Sequence, residues 1–250
     1  MGWQDFSLLL VAGVLGGLTG SIAGLASVTT YPALLLVGLP PVTANVTNTV
    51  SLVFNGIGSV LGSRPELKGQ RRWVQRIIPS AVLGGVAGAG LLLSTPAEGF
   101  EKVVPFLLAA SAVIIVLPRR SVPAHPGGRP HAGVWEAATI FLICIYGGYF
   151  GAAAGVLLLA LLLTTGSATL AHANAGKNVI LGVANGAAAL VFVVFAPVAW
   201  AAVVPLGLGC LMGSRLGPAV VRRAPAGLLR GVIGVAALAL AVKLGIDAYR

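Results

Sequence analysis

The chain has 250 residues, 57% of them hydrophobic and only 9% charged, with a formal net charge of +10. A soluble domain carries roughly 25% charged residues, so this composition excludes an ordinary water-exposed surface. The basic residues cluster between apolar runs, at Arg64, Lys68, Arg71, Arg72 and Arg76, at Arg119, Arg120 and Arg129, and at Arg222, Arg223 and Arg230. That is the distribution of cytoplasmic loops and excludes a nucleic-acid surface.

The apolar segments, in chain order, are 5–26, 30–39, 42–62, 74–94, 103–118, 134–155, 156–166, 168–195, 198–221 and 226–246. The start, Met-Gly-Trp-Gln-Asp, has no basic n-region, so the first segment is expected to remain as a helix. No charge occurs between Asp5 and Arg64, a gap that suits a bilayer. Segments 30–39 and 156–166 are too short to cross one, which takes about 20 residues. The expected fold class is an all-α polytopic membrane protein, with about eight spanning helices and two short or broken ones near the midplane.

The chain repeats itself. Asn48 matches Asn178, Asn55 matches Asn185 and Gly56 matches Gly186, all at one offset. Gly20 and Gly24 pair in sequence with Gly151 and Gly155, and Gly84 and Gly88 with Gly209 and Gly213. The expected organisation is a first transmembrane repeat over 1–118, a cytoplasmic linker over 119–133 rich in Pro, Gly and Arg, and a second repeat over 134–250. Charge orients the halves oppositely. The loop after the first motif helix holds Arg64, Lys68, Arg71, Arg72 and Arg76, whereas its counterpart near Phe195-Ala196-Pro197 holds no Lys or Arg. The next loop reverses the bias, with Lys102 beside Glu98 and Glu101 against three Arg in 222–230. The positive-inside rule then places 63–76, 119–133 and 222–230 in the cytoplasm and both termini outside, giving two inverted-topology repeats of about five segments each in the cell (inner) membrane.

The chemistry lies in two polar stripes. Asn45, Asn48, Ser51 and Asn55 fall on one helical face, and so do Asn174, Lys177, Asn178 and Asn185. Amides and hydroxyls inside hydrocarbon either bridge helices or serve a pathway. Their symmetric placement favours a pathway, lined by Thr47, Asn48, Ser51, Asn55, Asn174, Lys177, Asn178 and Asn185. Lys177 is the one Lys or Arg well inside an apolar segment. With Glu136 at a helix start and no carboxylate in the membrane core, an anionic substrate is its expected partner; carbonyls at a helix break are the alternative. His172 is a candidate proton relay. Gly20, Gly24, Gly151 and Gly155, beside the short segments, are candidates for exposing backbone groups to a ligand. Cys144 and Cys210 lack ligand-spaced neighbours and read as packing residues, so no metal or cofactor is expected. There is no P-loop, dinucleotide fingerprint or catalytic constellation, so neither an ATP-driven transporter nor an enzyme is expected.

Taken together, these residues resemble the TauE/SafE family of sulfite and organosulfonate exporters, also called the toluenesulfonate uptake permease family. The resemblance rests on Gly16-Gly17-Leu18-Thr19-Gly20 with Gly24, on Thr47-Asn48-Thr49-Val50 and on Gly62 through Leu67. In the second half it rests on Ala173 through Asn178, on Asn185 and on Gly209 to Gly217 followed by Arg222-Arg223. It covers essentially the whole chain. It departs at Ala23, Ala26 and Ser27 and at Ala152 to Ala154, where many members carry more Gly, and at Lys177, which stands where the first repeat has Thr47. The resemblance implies a secondary transporter of small sulfur-containing anions. Expected partners are that anion, the lipid bilayer and a coupling ion, proton or sodium. Two other readings stand beside it: a non-transporting membrane scaffold whose stripes pack helices, and a cation carrier using Asn and Thr oxygens.

Overall fold

The computed structural model describes residues 1–116, 133–165 and 169–223. The expected last segment, 226–246, and nearly all of the 119–133 linker lie outside the described residues. The described chain is all helical, in the order α1 Trp3–Ala23, α2 Ala26–Leu36, α3 Pro41–Gly62, α4 Arg64–Leu67, α5 Arg71–Ser94, α6 Ala97–Val116, α7 Val134–Tyr149, α8 Ala154–Thr165, α9 Leu170–Phe195 and α10 Trp200–Arg223. Each expected segment within the described residues corresponds to one helix, and α4 is an additional short turn in the first basic loop.

Four described helices, α1, α5, α9 and most of α10, are long and apolar enough to cross a membrane. Their outer faces leave Leu8, Val11, Leu15, Leu83, Leu190 and Val194 exposed, as lipid contact requires. Trp3, Trp135 and Trp200 stand exposed at the starts of α1, α7 and α10, the placement of interfacial aromatic anchors. α3 falls outside this set because Asn, Thr and Ser interrupt its apolar run; it is instead buried over most of its length.

Packing follows an exchange pattern. α1 packs on α10 and α7 on α5; α3 packs on α10 and α9 on α5; α3 and α9 cross each other at the centre. Small residues make these crossings. Cβ atoms built on Gly13 and Gly17 of α1 would run into the backbone of α10 around Leu206 and Cys210, and those built on Gly84 and Gly88 of α5 into α7 at Phe141, Cys144 and Ile145. At the central crossing a Cβ on Gly56 would lie 2.7 Å from the Cα of Gly182. With no side chain in the way, backbones approach closely and dispersion accumulates over the whole contact.

The two helix breaks sit at positive-φ glycines. α1 ends at Gly24 (φ 76°), whose N–H donates to Gly20 O at 2.7 Å. α7 ends just before Gly151 (φ 73°), whose N–H donates to Tyr146 O at 3.0 Å. A left-handed residue closes a helix C-terminus and is least strained as glycine. Gly24 and Gly151 thus hold the same place in the two breaks, four residues after Gly20 and Gly147. Gly155 packs against Gly24 itself, backbone on backbone.

Candidate functional site

The two breaks and the two motif helices meet at one small cavity, with about 20 Å³ of free volume. That holds a water but not a sulfur oxyanion. Its walls are contributed almost symmetrically. Gly20 and Gly24 face it from the first break, and Gly147 and Gly151 from the second. Asn55 of α3 and Asn185 of α9 face it from mid-helix. Ala26 and Ser27 bring the first turn of α2 to it, and Ala154 the first turn of α8. Thr49, Leu52, Phe150 and Leu181 complete the lining. Phe150 is held edge-on by Tyr31 and Phe100, at ring-centroid distances of 5.4 and 6.0 Å.

Asn55 and Asn185 are each only 8% exposed, and neither side chain makes a hydrogen bond to another described residue. A buried amide left unpaired is expensive. Asn55 lies directly over Gly20: a Cβ there would come 3.1 Å from its Nδ2 and 3.2 Å from its Oδ1. The first-turn N–H groups of α2 have no side-chain cap. Helix N-termini concentrate unpaired donors and partial positive charge, an arrangement suited to an anion.

The other stripe residues are engaged elsewhere. Asn48 Nδ2 donates to Ser27 Oγ at 3.0 Å and its Oδ1 accepts from Thr30 Oγ1, tying α3 to α2. Asn178 Nδ2 donates to Ser63 Oγ at 3.2 Å, tying α9 to the end of α3. Ser51 Oγ turns back to Thr47 O, while Thr47 Oγ1 accepts the N–H of Ala199 at 3.1 Å, at the entrance to α10. Lys177 is fully buried, and its Nζ donates to Gly20 O at 2.9 Å and Ser21 O at 3.2 Å. Asn174 Nδ2 donates to Ser21 O at 3.0 Å. Both therefore cap the C-terminal end of α1. Across the molecule, Asn45 Nδ2 donates to Tyr149 O at 2.8 Å and so caps the C-terminal end of α7. Each motif helix thus caps the broken helix of the opposite half. The caps offset the negative ends of α1 and α7 beside the cavity and leave the positive ends of α2 and α8 facing it.

His172 sits at the start of α9, away from the cavity, its Nδ1 2.7 Å from Thr169 Oγ1. Of the thirteen residues expected from sequence, Asn55, Asn185, Gly20, Gly24 and Gly151 line the cavity. Gly155 backs it, Lys177 and Asn48 each bond to one of its lining residues, Ser51 bonds back within α3, and the remainder join helices or lie at helix ends. Thr49 and Leu52, the cavity-facing neighbours of Asn55 at three-residue spacing, were not singled out, and neither were Phe150 and Leu181. Ala26, Ser27 and Ala154 had been marked only as departures from a Gly-rich pattern. The described residues hold no cluster of His, Cys, Asp or Glu fit for a metal.

Comparison with known proteins agrees with this architecture. Residues 9–244 match the family model described as sulfite exporter TauE/SafE. A probable membrane transporter protein, ORF9 of Sinorhizobium sp, is 27% identical over 96% of this chain and 92% of its own length. The probable membrane transporter protein YfcA of Escherichia coli is 23% identical over 97% of this chain and 90% of its own. A probable membrane transporter protein of Haemophilus influenzae is 22% identical over 99% and 97%. No solved structure matches the chain. The chain belongs to the TauE/SafE sulfite exporter family and is a multi-pass membrane transporter, not an enzyme.

Proposed function

We propose that this transporter carries small sulfur-containing anions, of the sulfite or organosulfonate class, by alternating access of two inverted-topology halves around the central cavity. The observation that carries the reading is the convergence there of two unpartnered amides, Asn55 and Asn185, with the first turns of α2 and α8. Amide and backbone N–H groups match the oxygens of a sulfonate or sulfite, and the breaks at Gly24 and Gly151 give both halves a point of flexure. The cavity holds about 20 Å³ of free volume, so the two breaks must part to admit an anion. The protein lies in the cell (inner) membrane with both termini outside.

The test is thermal stabilisation of purified protein by sulfite, sulfate, thiosulfate, sulfoacetate, taurine and chloride, together with uptake into proteoliposomes. Selective stabilisation by a sulfur oxyanion, lost in Asn55→Ala and Asn185→Ala, is expected. The scaffold reading draws on the helix-to-helix bonds of Asn48, Asn174, Lys177 and Asn178. It gains if no anion stabilises the protein and no flux is seen.

A further inference from the structure

Lys177 carries an unbalanced set of hydrogen bonds. Its side chain is fully buried, and the acceptors it reaches are two carbonyls, Gly20 O and Ser21 O. A neutral amine has two N–H donors and an ammonium three. Two carbonyls therefore satisfy the neutral amine and leave one donor of the ammonium unpartnered. The surroundings supply no countercharge among the described residues. α3 and α8 carry no ionisable side chain. Asp5 of α1, Arg64 and Glu66 of α4, Arg71, Arg72 and Arg76 of α5, Glu136 and Tyr146 of α7, Arg215 of α10 and His172 of α9 itself are exposed or half-buried, whereas Lys177 is fully buried with its bonds on the two carbonyls. Cys144, Cys210 and Tyr149 do not reach it either. The negative end of α1 offsets only part of a full ammonium charge, and the remainder, buried without a counter-ion, is disfavoured.

The cavity lies on the far side of the same residue. Gly20 accepts from Lys177 through its carbonyl and lines the cavity beneath Asn55. An anion in the cavity would be the missing countercharge, held apart from Lys177 by one glycine. We propose that Lys177 is the proton-binding site that couples to anion binding: the empty transporter holds it as the neutral amine, and an entering anion draws one proton onto Nζ, so that anion and proton are occluded together. The inference rests on the anion reading of the cavity. It assigns the first half's counterpart, Thr47, no part in coupling, since Thr47 accepts the Ala199 N–H and carries no charge.

The experiment is calorimetric titration of the detergent-purified full chain with methanesulfonate and with sulfate, in two buffers of different ionisation enthalpy, from mildly acidic to mildly basic pH. Neither probe changes its own protonation there. Above the pH at which the empty protein releases the Lys177 proton, wild type should take up about one proton per anion, and its affinity should fall about tenfold per pH unit. Lys177→Met should bind more weakly, with no proton uptake and no pH slope. Lys177→Arg, permanently charged, should bind without uptake at all pH values. Binding by wild type without proton uptake overturns the inference, and so does an undiminished uptake in Lys177→Met, which would move the proton to another group such as His172. If neither probe binds wild type at any pH, the anion reading of the cavity falls and takes this inference with it. Because the wild-type titration decides the matter alone, a variant that misfolds does not blunt the test.

Discussion

Two kinds of asparagine occupy the same helix. Asn48 is bound on both sides of its amide, to Ser27 and Thr30, whereas Asn55, two turns on, is bound on neither. Asn48→Ala removes interhelical bonds and should lower stability by roughly 1 kcal/mol, read as a fall in melting temperature with part of the transport retained. Asn55→Ala and Asn185→Ala remove no hydrogen bond. Their melting temperatures should stay close to wild type while anion stabilisation and flux are lost. A large stability loss at Asn55 with flux intact would reassign it to packing. The sequence makes these residues look alike, since both are amides on one helical face. What separates them is the neighbour that the second helix supplies: α2 offers Ser27 and Thr30 to Asn48, and Gly20 packs beneath Asn55 without offering its side chain a hydrogen bond. The same holds for Lys177. Its burial was legible from the apolar run around it, but its carbonyl partners were not, because they lie more than 150 positions away in sequence, at Gly20 and Ser21.

At the scale of the helix, the decisive features are ends and crossings. Gly24 combines a left-handed backbone with direct contact to Gly155. Gly24→Ala should cost about 1–2 kcal/mol from conformation alone, with the lost contact in addition, and should show as poor yield of monodisperse protein. Within α5 the glycines divide cleanly. A Cβ on Gly88 would strike Ile145 O of α7, while one on Gly90 meets nothing within 4 Å. Gly88→Ala should therefore disrupt the α5–α7 crossing, and Gly90→Ala should raise stability by about 0.5–1 kcal/mol; equal melting temperatures for the two variants would refute this packing. Among the described residues the order of the apolar helices was readable because lipid demands apolar runs, but α4 was not foreseen, and four helices rather than about eight are long and apolar enough to span. The break points were less readable. Hydropathy passes smoothly across Gly151, Ala152, Ala153 and Ala154, and only the backbone shows that the helix stops at Tyr149 and restarts at Ala154.

For the whole molecule, the proposed inverted arrangement makes a claim about sides. α5 runs 24 residues from Arg71 to Ser94, about 36 Å at helical rise, so Lys68 and Glu98 lie beyond its opposite ends, and both are exposed. The native thiols, Cys144 and Cys210, are fully buried and should stay silent to a membrane-impermeant maleimide. Glu98→Cys should be labelled on intact cells, and Lys68→Cys only after permeabilisation. The opposite result would invert the orientation drawn from the basic loops.

The crosswise capping of the broken helices also has a consequence in time. A chain is made from its N-terminus, so α1 exists long before α9. Until α9 arrives, the carbonyls of Gly20 and Ser21 lack the donors of Asn174 and Lys177. α7 has no such wait, because Asn45 has already been made when Tyr149 emerges. Biogenesis is therefore asymmetric where the capping is reciprocal: the older half stays incomplete until the younger half is threaded beside it. A ribosome stalled in the linker would leave behind a first half with an open helix end in the bilayer, a natural mark for membrane quality control.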